Sequence, residues 1–459
     1  MNIKKDYAFD VLSTRYELID TVIGGFRKDD SKLIAFYLPQ YHRIPENSEW
    51  WGPGFTEWTN VVKGHPNFDG HYQPHQPRDL GFYDLSNVEV MREQAEMARD
   101  YGVYGFCFYH YWFSGRRVLE KPVDNFIKSD IDMNFCLCWA NENWTRTWSG
   151  DTESVLLGQS YTDEDDHSFI ESLALYLTDS RYILVDGKPL ILVYRANQIP
   201  DAKRSFAIWR KKALGLGFPG LHIAVVDFYD ISSPAEVDAD ALVEFPPLKF
   251  NGPQSRPENP PRITNPDFAG GLVDYHKVIA QSAGRAPESY RLYRGIMPSW
   301  DNTARRQDTG TIVLNSNPVL YAEWLKYIRA YTRQYHQKSD NFIFINAWNE
   351  WGEGCHLEPD QKWEMQYLEA TLRSAYYEDA DYDLAEVRSK LYTALAKSLS
   401  PGEHDSAEAV EKRRDVEQKL RAYKPVGHVS NKIAFYALQW PLIYRALRLF
   451  YRAYRKLVG

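Results

Sequence analysis

The chain has 459 residues, a formal net charge of −8 and 15% aromatic residues. This length exceeds one ordinary globular core and suits a barrel of roughly 250 residues or more with an additional module. The acidic balance argues against nucleic acid as a partner, because chains that bind nucleic acid carry a basic footprint. The first residues lack the apolar run of a secretory signal, so we expect a cytoplasmic protein with reduced, buried cysteines.

Short apolar runs alternate with amphipathic segments along most of the chain, which is the pattern of parallel β/α units. We predict strands at residues 33–37, 105–108, 135–139, 190–194, 222–226, 241–244, 292–296 and 342–346. We predict helices at residues 88–101, 163–177, 203–214, 273–281 and 318–337, and a long loop at the barrel mouth over residues 245–267. The pattern predicts an α/β chain with a lead-in (1–30), a (β/α)8 TIM barrel (31–378) and a C-terminal helical extension (379–459).

Polar and aromatic residues follow the predicted strands, at the end where barrel enzymes place their sites. Flat aromatic faces with amide, imidazole and carboxylate groups suit a neutral polyol, so the pattern indicates a carbohydrate site. The candidate substrate-binding residues are Tyr41, His42, Trp51, Trp58, Tyr109, His110, Trp112, Asn141, Glu142, Trp144, Glu244, Trp348, Asn349 and Trp351.

Glu350 and Glu353 lie three residues apart just past the last predicted strand, between tryptophans and glycines. Reaction at a glycosidic bond requires a proton donor and a second carboxylate, and two close carboxyl groups in a desolvated site raise the pKa of one of them. We therefore predict that Glu350 and Glu353 are catalytic. Glu358 is a weaker candidate and is interpreted as a surface residue.

Two other classes of protein remain open. A nucleotide-sugar glycosyltransferase of the doubly wound type would match the Glu-x7-Glu spacing of Glu350 and Glu358, but the chain has no Gly-rich strand-to-helix turn. Its Asp-x-Asp pairs, at 130–132 and 238–240, precede predicted strands rather than follow them. A glycan-binding barrel without catalysis would predict loss of the carboxylates. We expect no metal or cofactor, because the pair at 136–138 lacks a second set of ligands.

Four runs resemble WbsX-type proteins, relatives of glycoside hydrolase family 99 found in bacterial polysaccharide-biosynthesis loci. The runs are IAFYLPQYH at 34–42, WWGPGFTEWTN at 50–60, WANENW at 139–144 and NAWNEWGEG at 346–354, and the likeness spans about residues 30–375. The resemblance implies a barrel that works on glycans with retention of configuration, in lipopolysaccharide or O-antigen biosynthesis.

The same resemblance implies roles for the two glutamates. Glu350 matches the residue that assists the sugar's 2-hydroxyl as an internal nucleophile through an anhydro-sugar intermediate, and Glu353 matches the general acid and then base. Family 99 proper acts on α-mannosides, whereas WbsX-type proteins are usually described as glycosyltransferases. Hydrolysis and transfer therefore both remain open, as does the sugar.

The C-terminal segment, residues 432–459, mixes leucines and aromatics with arginines at three- and four-residue steps and contains no acidic residue. This pattern predicts an interfacial helix that holds the protein peripherally at an anionic membrane face, where a lipid-linked glycan is found. The alternative is a basic helix docked on the acidic barrel. The uncharged stretch at 433–444 is far shorter than the roughly 20 residues that span a bilayer.

Overall fold

The computed structural model describes residues 26–145, 155–378 and 383–399. Eight parallel strands form its main sheet: β1 Lys32–Tyr37, β2 Val103–Phe113, β3 Asn134–Trp139, β4 Lys188–Val193, β5 His222–Val226, β6 Ala241–Val243, β7 Leu292–Ile296 and β8 Phe342–Ile345. Each strand pairs with the next along the chain, and β8 pairs with β1. The predicted TIM barrel is confirmed, and the closed ring excludes the open sheet of the doubly wound alternative.

Helices pack around this barrel: α1 Val88–Asp100, α2 Lys121–Lys128, α3 Asp163–Ser172, α4 Ala202–Gly215, α5 Tyr275–Gly284, α6 Pro318–Tyr335, α7 Gln366–Arg373 and α8 Leu384–Leu399. Several begin at an Asn, Asp or Thr whose side chain accepts a backbone N–H of the first turn, which satisfies an otherwise unpaired donor. The predicted helix at 163–177 is interrupted at Leu173, after which Ala174–Leu177 forms a separate turn.

The predicted helix at 273–281 begins two residues later than expected. The strand Gly271–Asp274 precedes it and pairs in parallel with Thr311–Leu314, so Val273 is extended. The Asp274 side chain then accepts the backbone N–H of His276 and caps α5. A local strand pairing that periodicity does not reveal therefore moved this boundary.

Alternation along the strands directs one set of side chains into the barrel interior. Phe36 of β1 contacts Tyr109 of β2 at 5.7 Å between ring centroids, Phe245 at 4.9 Å and Phe344 of β8 at 5.7 Å. The four cysteines are free and buried, as expected. The interior is a packed aromatic core beneath the carboxyl ends of the strands.

Short elements beyond the carboxyl ends of the strands carry the candidate site. The helices Pro45–Trp51 and Glu57–Val61 follow β1, and the turn Thr303–Arg306 follows β7. The loop at 245–267 contains one 3-10 turn, Pro253–Ser255.

The predicted basic helix at 432–459 lies outside the described residues. None of the helices in the described part of the chain combines the length and apolar character required to cross a bilayer.

Candidate active site

The two predicted catalytic glutamates lie on one tight turn beyond β8. Asn349–Glu350 pairs antiparallel with Cys355–His356, and Trp351–Glu353 forms a 3-10 turn between them. Both side chains contact the same guanidinium, that of Arg305, so the turn presents Glu350 and Glu353 to the same side. Gly354 closes the turn with φ of 56°, and a Cβ there would lie 2.9 Å from the carbonyl oxygen of Asp301. Residues 349–356 are called the carboxylate turn below.

Arg305 joins both glutamates. Its Nη2 donates to Glu350 Oε2 at 2.8 Å, its Nη1 lies 2.8 Å from Glu353 Oε1, and its Nε donates to Glu57 Oε1 at 2.6 Å. Glu57 is fully buried, whereas the side chain of Glu353 keeps 21% of its surface exposed. A single guanidinium from the loop after β7 therefore holds three carboxylates, one from the loop after β1 and two from the loop after β8.

Burial alters the acidity of this pair. It raises the pKa of Glu350 to about 8 and also raises the pKa of Glu353, while the Arg305 guanidinium acts in the opposite direction on both. Full ionisation would set three carboxylates against one guanidinium in a desolvated cluster, so the pair retains a proton near neutral pH. The two groups titrate together, and the proton belongs to the pair rather than to one oxygen. A pair with one proton offers an acid and a base at once.

Aromatic side chains stand beside the pair. Burial and then the negative charge of Glu350 raise the pKa of the Tyr109 and Tyr111 hydroxyls. Tyr194, just beyond β4, contacts Tyr109 at 6.2 Å between centroids, and Trp144 contacts Tyr111 at 5.3 Å. Tyr109 and Trp144 were predicted at this site, and Tyr111 and Tyr194 were not.

Several predicted residues hold the carboxylate turn from beneath. Asn349 accepts the backbone N–H of Leu38 at 2.7 Å and donates to its carbonyl at 3.0 Å, which ties the turn to the end of β1. The Tyr41 hydroxyl donates to the Asn349 carbonyl and accepts the N–H of Trp351. Trp58 packs on Tyr41 and Trp351 at 4.6 and 5.6 Å. These buried residues place the glutamates, and substrate contact by them stays a prediction.

Strand alternation sends His110 and Trp112 to the opposite face from Tyr109 and Tyr111. His110 lies 6.2 Å from Phe169 of α3 between centroids, and Trp112 lies 5.9 Å from the same ring. Trp112 Nε1 also donates to Asp165. The structure therefore places both side chains between the barrel and its helices and does not bring them to the carboxylates. Trp348 is wholly buried against Phe106 and also stays away from the surface.

Three other candidates lie at strand ends with partners of their own. Asn141 accepts the backbone N–H of Arg195 and donates to its carbonyl, which joins the ends of β3 and β4. Glu142 accepts from Arg195 Nη1 at 3.0 Å and is partly exposed. Glu244 is buried and accepts from Arg285 and Arg294 at 3.1 and 3.0 Å, so both of its oxygens are engaged. Their predicted contacts with substrate stay predictions.

The last two candidates belong to the loops after β1. His42 lies buried, with Nδ1 donating to the Pro39 carbonyl at 2.8 Å, and burial lowers its pKa. Trp51 is half-buried and lies 6.1 Å from Phe55 between ring centroids. Neither residue is in a described contact with Glu350 or Glu353.

The interpretation of Glu358 as a surface residue was wrong. Its side chain is 2% exposed and accepts hydrogen bonds from Tyr83, Gln94 and Trp351 at 2.8, 2.6 and 2.6 Å. Burial raises its pKa to about 7. Donors from three separate parts of the chain make this burial possible, and a spacing rule cannot anticipate them.

Among the described residues, one group of three side chains has the composition of a metal site: His75, His356 and Asp360, with ligand atoms within 4.8 Å of one another. His75 Nδ1 and His356 Nε2 lie 2.9 Å apart, and His356 Nδ1 donates to the Glu358 carbonyl. This leaves His356 Nε2 as the acceptor of the His75 proton. The hydrogen bond between the two rings thus links the loop at 71–77 to the carboxylate turn.

Arg305 and Glu57 are the functional candidates that sequence reasoning missed. Glu57 lies inside the WWGPGFTEWTN run and was not singled out, and Arg305 lies three residues past the Trp300-Asp301-Asn302 segment that follows β7. The strand-end rule pointed to both loops. The rule could not say which basic residue pairs with the two glutamates and offsets their negative charge.

A closed (β/α)8 barrel with paired carboxylates beyond its strands is an architecture found among enzymes that act on carbohydrates. The chain belongs to the family described as glycosyltransferase WbsX, whose sequence profile matches residues 33–371. The resemblance to WbsX-type proteins is thereby confirmed.

Similar proteins include WxcX from two strains of Xanthomonas campestris pv. campestris, each 43% identical over 340 residues, or 74% of this chain and 49% of the relative. The chain thus spans about half the length of the curated relatives it matches. Among solved structures, the GH99 endo-alpha-mannosidase from Bacteroides thetaiotaomicron is 14% identical to this chain. The match covers 80% of this chain and 100% of the mannosidase chain, with a TM-score of 0.46. A second solved structure, described as a glycoside hydrolase-like protein, is 15% identical to this chain. The match covers 76% of this chain and 94% of that protein, with a TM-score of 0.47.

Proposed function

We propose that the chain is a retaining carbohydrate-active enzyme that cleaves or transfers a glycosyl unit in the biosynthesis of a bacterial cell-surface polysaccharide such as O-antigen. The observation that carries the proposal is the sharing of Arg305 by Glu350 and Glu353 at the carboxyl end of the barrel. A buried carboxyl pair that retains a proton supplies the acid and base that glycosyl chemistry requires.

The proposed reaction has two steps, and each carboxylate has its own role in both of them, following the family resemblance. With the proton of the pair on Glu353, the ionised Glu350 removes the proton of the sugar's 2-hydroxyl, and the oxygen attacks the anomeric carbon while Glu353 protonates the departing glycosidic oxygen. Glu353 then removes a proton from the acceptor, water or a sugar hydroxyl, which opens the anhydro ring as Glu350 returns its proton. The partial exposure of Glu353 supports its role toward the departing group and the acceptor.

The surroundings support a neutral glycan as the reacting unit. Tyr109, Tyr111 and Trp144 offer ring faces and hydroxyls beside the pair. Arg305, the cation that contacts both glutamates, has its three nitrogens on carboxylates. We propose a glycan or a lipid-linked glycan as substrate, and a cytoplasmic enzyme that is peripheral to the inner membrane.

The experiment is incubation of the full chain with lipid-linked and polymeric surface glycans of the bacterium that encodes it, followed by mass spectrometry of the products. The proposal expects a mass change that corresponds to one or more glycosyl units. The double variant Glu350→Gln/Glu353→Gln serves as the control and should give no such change. A wild-type protein that alters none of these glycans, or a double variant that alters them equally, would contradict the proposal.

A further inference from the structure

We infer that Arg305, held in place by Glu57, is a positioning residue that sets the spacing of Glu350 and Glu353 and offsets their charge. The inference rests on the proposed function, because it concerns the same pair of carboxylates. Neither composition nor strand-end patterning singled out Arg305 or Glu57.

The shape of the guanidinium is what allows one residue to do this. Its nitrogens lie in one plane at fixed angles, and in this site each of the three faces a different carboxylate. The bonds to Glu350 and Glu353, both 2.8 Å long, come from the two terminal nitrogens of one fork. The distance between the two glutamate carboxylates is therefore set by the fork, whereas a lysine ammonium has no such fixed geometry.

Glu57 serves as an anchor rather than as a third catalytic group. Its Oε1 accepts from Arg305 Nε at 2.6 Å and its Oε2 accepts from Asn60 Nδ2 at 3.2 Å, so both oxygens are occupied inside the protein. The side chain has no exposed surface. It can hold the guanidinium but cannot reach a substrate.

Asp301 fixes the segment that carries Arg305. Its carboxylate accepts the backbone N–H of Thr303 at 3.0 Å and lies 2.6 Å from His71 Nε2. The other ring nitrogen of His71 accepts the N–H of Asn67, so Nε2 carries the proton that points to Asp301. The backbone N–H of Asp301 donates to the Glu353 carbonyl at 2.6 Å. The arginine segment and the carboxylate turn are thus joined both through backbone and through side chains.

The first test measures the titration of the pair and needs no substrate. Infrared spectroscopy of the full chain follows the protonated-carboxyl band against pH, and the part lost in Glu350→Gln or Glu353→Gln reports the pair. Arg305→Met removes a positive charge and should raise the titration midpoint by about one pH unit or more, whereas Glu57→Gln removes a negative charge and should lower it. Arg306→Met, which removes the exposed neighbouring charge, should move it far less.

Opposite shifts are diagnostic, because a merely structural role for Arg305 would not give opposite signs in two variants. Arg305→Gln removes the same charge but keeps a polar side chain, and together with Glu57→Gln it carries the test if Arg305→Met does not fold. Shifts of the same sign, or midpoints equal to that of the wild type, would overturn the inference.

The second test uses the glycan that the wild type converts. Arg305→Lys retains the charge without the fork, so we expect at least a tenfold fall in kcat with KM little changed. Wild-type kcat in Arg305→Lys would overturn the claim about spacing. A wild type that converts no glycan would remove the proposed function, while the infrared titration would still decide whether Arg305 controls the pair.

Discussion

Replacement of Gly352 by alanine tests the packing of the candidate site. A Cβ at this position would lie 2.2 Å from Oε1 of Glu57 and 2.8 Å from Nε of Arg305, whereas nonbonded atoms normally approach to about 3.5–4 Å. Glu57 cannot swing away at low cost, because it is fully buried and both of its oxygens are hydrogen-bonded. The methyl group must therefore displace the ion pair by roughly 1 Å.

Because Arg305 contacts Glu350 and Glu353, a shift of its guanidinium also moves the carboxylates of these two catalytic candidates. A misplacement of this size reduces turnover by about 100-fold in a positioned active site. Overpacking should also lower the free energy of unfolding by about 1–3 kcal/mol. The assays are kcat on the converted glycan and chemical unfolding. Gly215→Ala is the matched control, since no atom lies within 4 Å of its added Cβ. It should leave kcat unchanged and should not lower the free energy of unfolding, because alanine is favoured over glycine in a helix. A Gly352→Ala protein with wild-type kcat would refute the reasoning.

Three further predictions concern pH, metal and membrane. Because the folded-state pKa values of Glu350 and Glu358, about 8 and about 7, lie above that of an unfolded glutamate, their stabilising contribution is present at low pH and is lost as pH rises through these values. Urea unfolding should therefore show a loss of about 1–2 kcal/mol between pH 7 and 8.5, and a gain would contradict the burial argument. Prolonged EDTA treatment should leave turnover unchanged, because the proposed steps use carboxylates; a loss restored by Zn²⁺ would point instead to His75, His356 and Asp360. Truncation before Lys432 should stop sedimentation with anionic vesicles, since each basic residue at such a surface contributes about 1 kcal/mol; unchanged sedimentation would rule out the tail as the anchor.

The barrel could be predicted from the sequence because its signal is local. Each strand is a short apolar run, and the runs recur with helical segments between them, so strand number and order follow from pattern alone. The carboxylate turn was also within reach, since Glu350 and Glu353 are adjacent in sequence to the last strand. The late start of α5 depended on the pairing of Gly271–Asp274 with Thr311–Leu314 and was not visible in the sequence, and the break at Leu173 was not visible there either.

The remainder of the site depends on contacts between distant parts of the chain. Arg305 meets Glu57 across 248 residues and Glu350 across 45, and no spacing rule connects them. Alternation alone separates Tyr109 and Tyr111 from His110 and Trp112, but it does not say which pair faces the barrel interior. The contact of Phe36 with Tyr109 on the neighbouring strand shows that the two rings share a face, and the contact of Phe36 with Phe245 beyond β6 shows that this face is the barrel interior. The second contact exists only once the barrel has closed.

The most direct measurement for the central claim is the turnover of wild type, Glu350→Gln and Glu353→Gln on the glycan that mass spectrometry identifies as a substrate. Glu164→Gln, an exposed change on α3, serves as the control. Loss of a positioned acid or base reduces the rate by about 100-fold to 10,000-fold, so each glutamate variant should fall by at least that lower factor while the control keeps wild-type turnover. Near-normal turnover in Glu350→Gln or in Glu353→Gln would contradict the assignment of the pair.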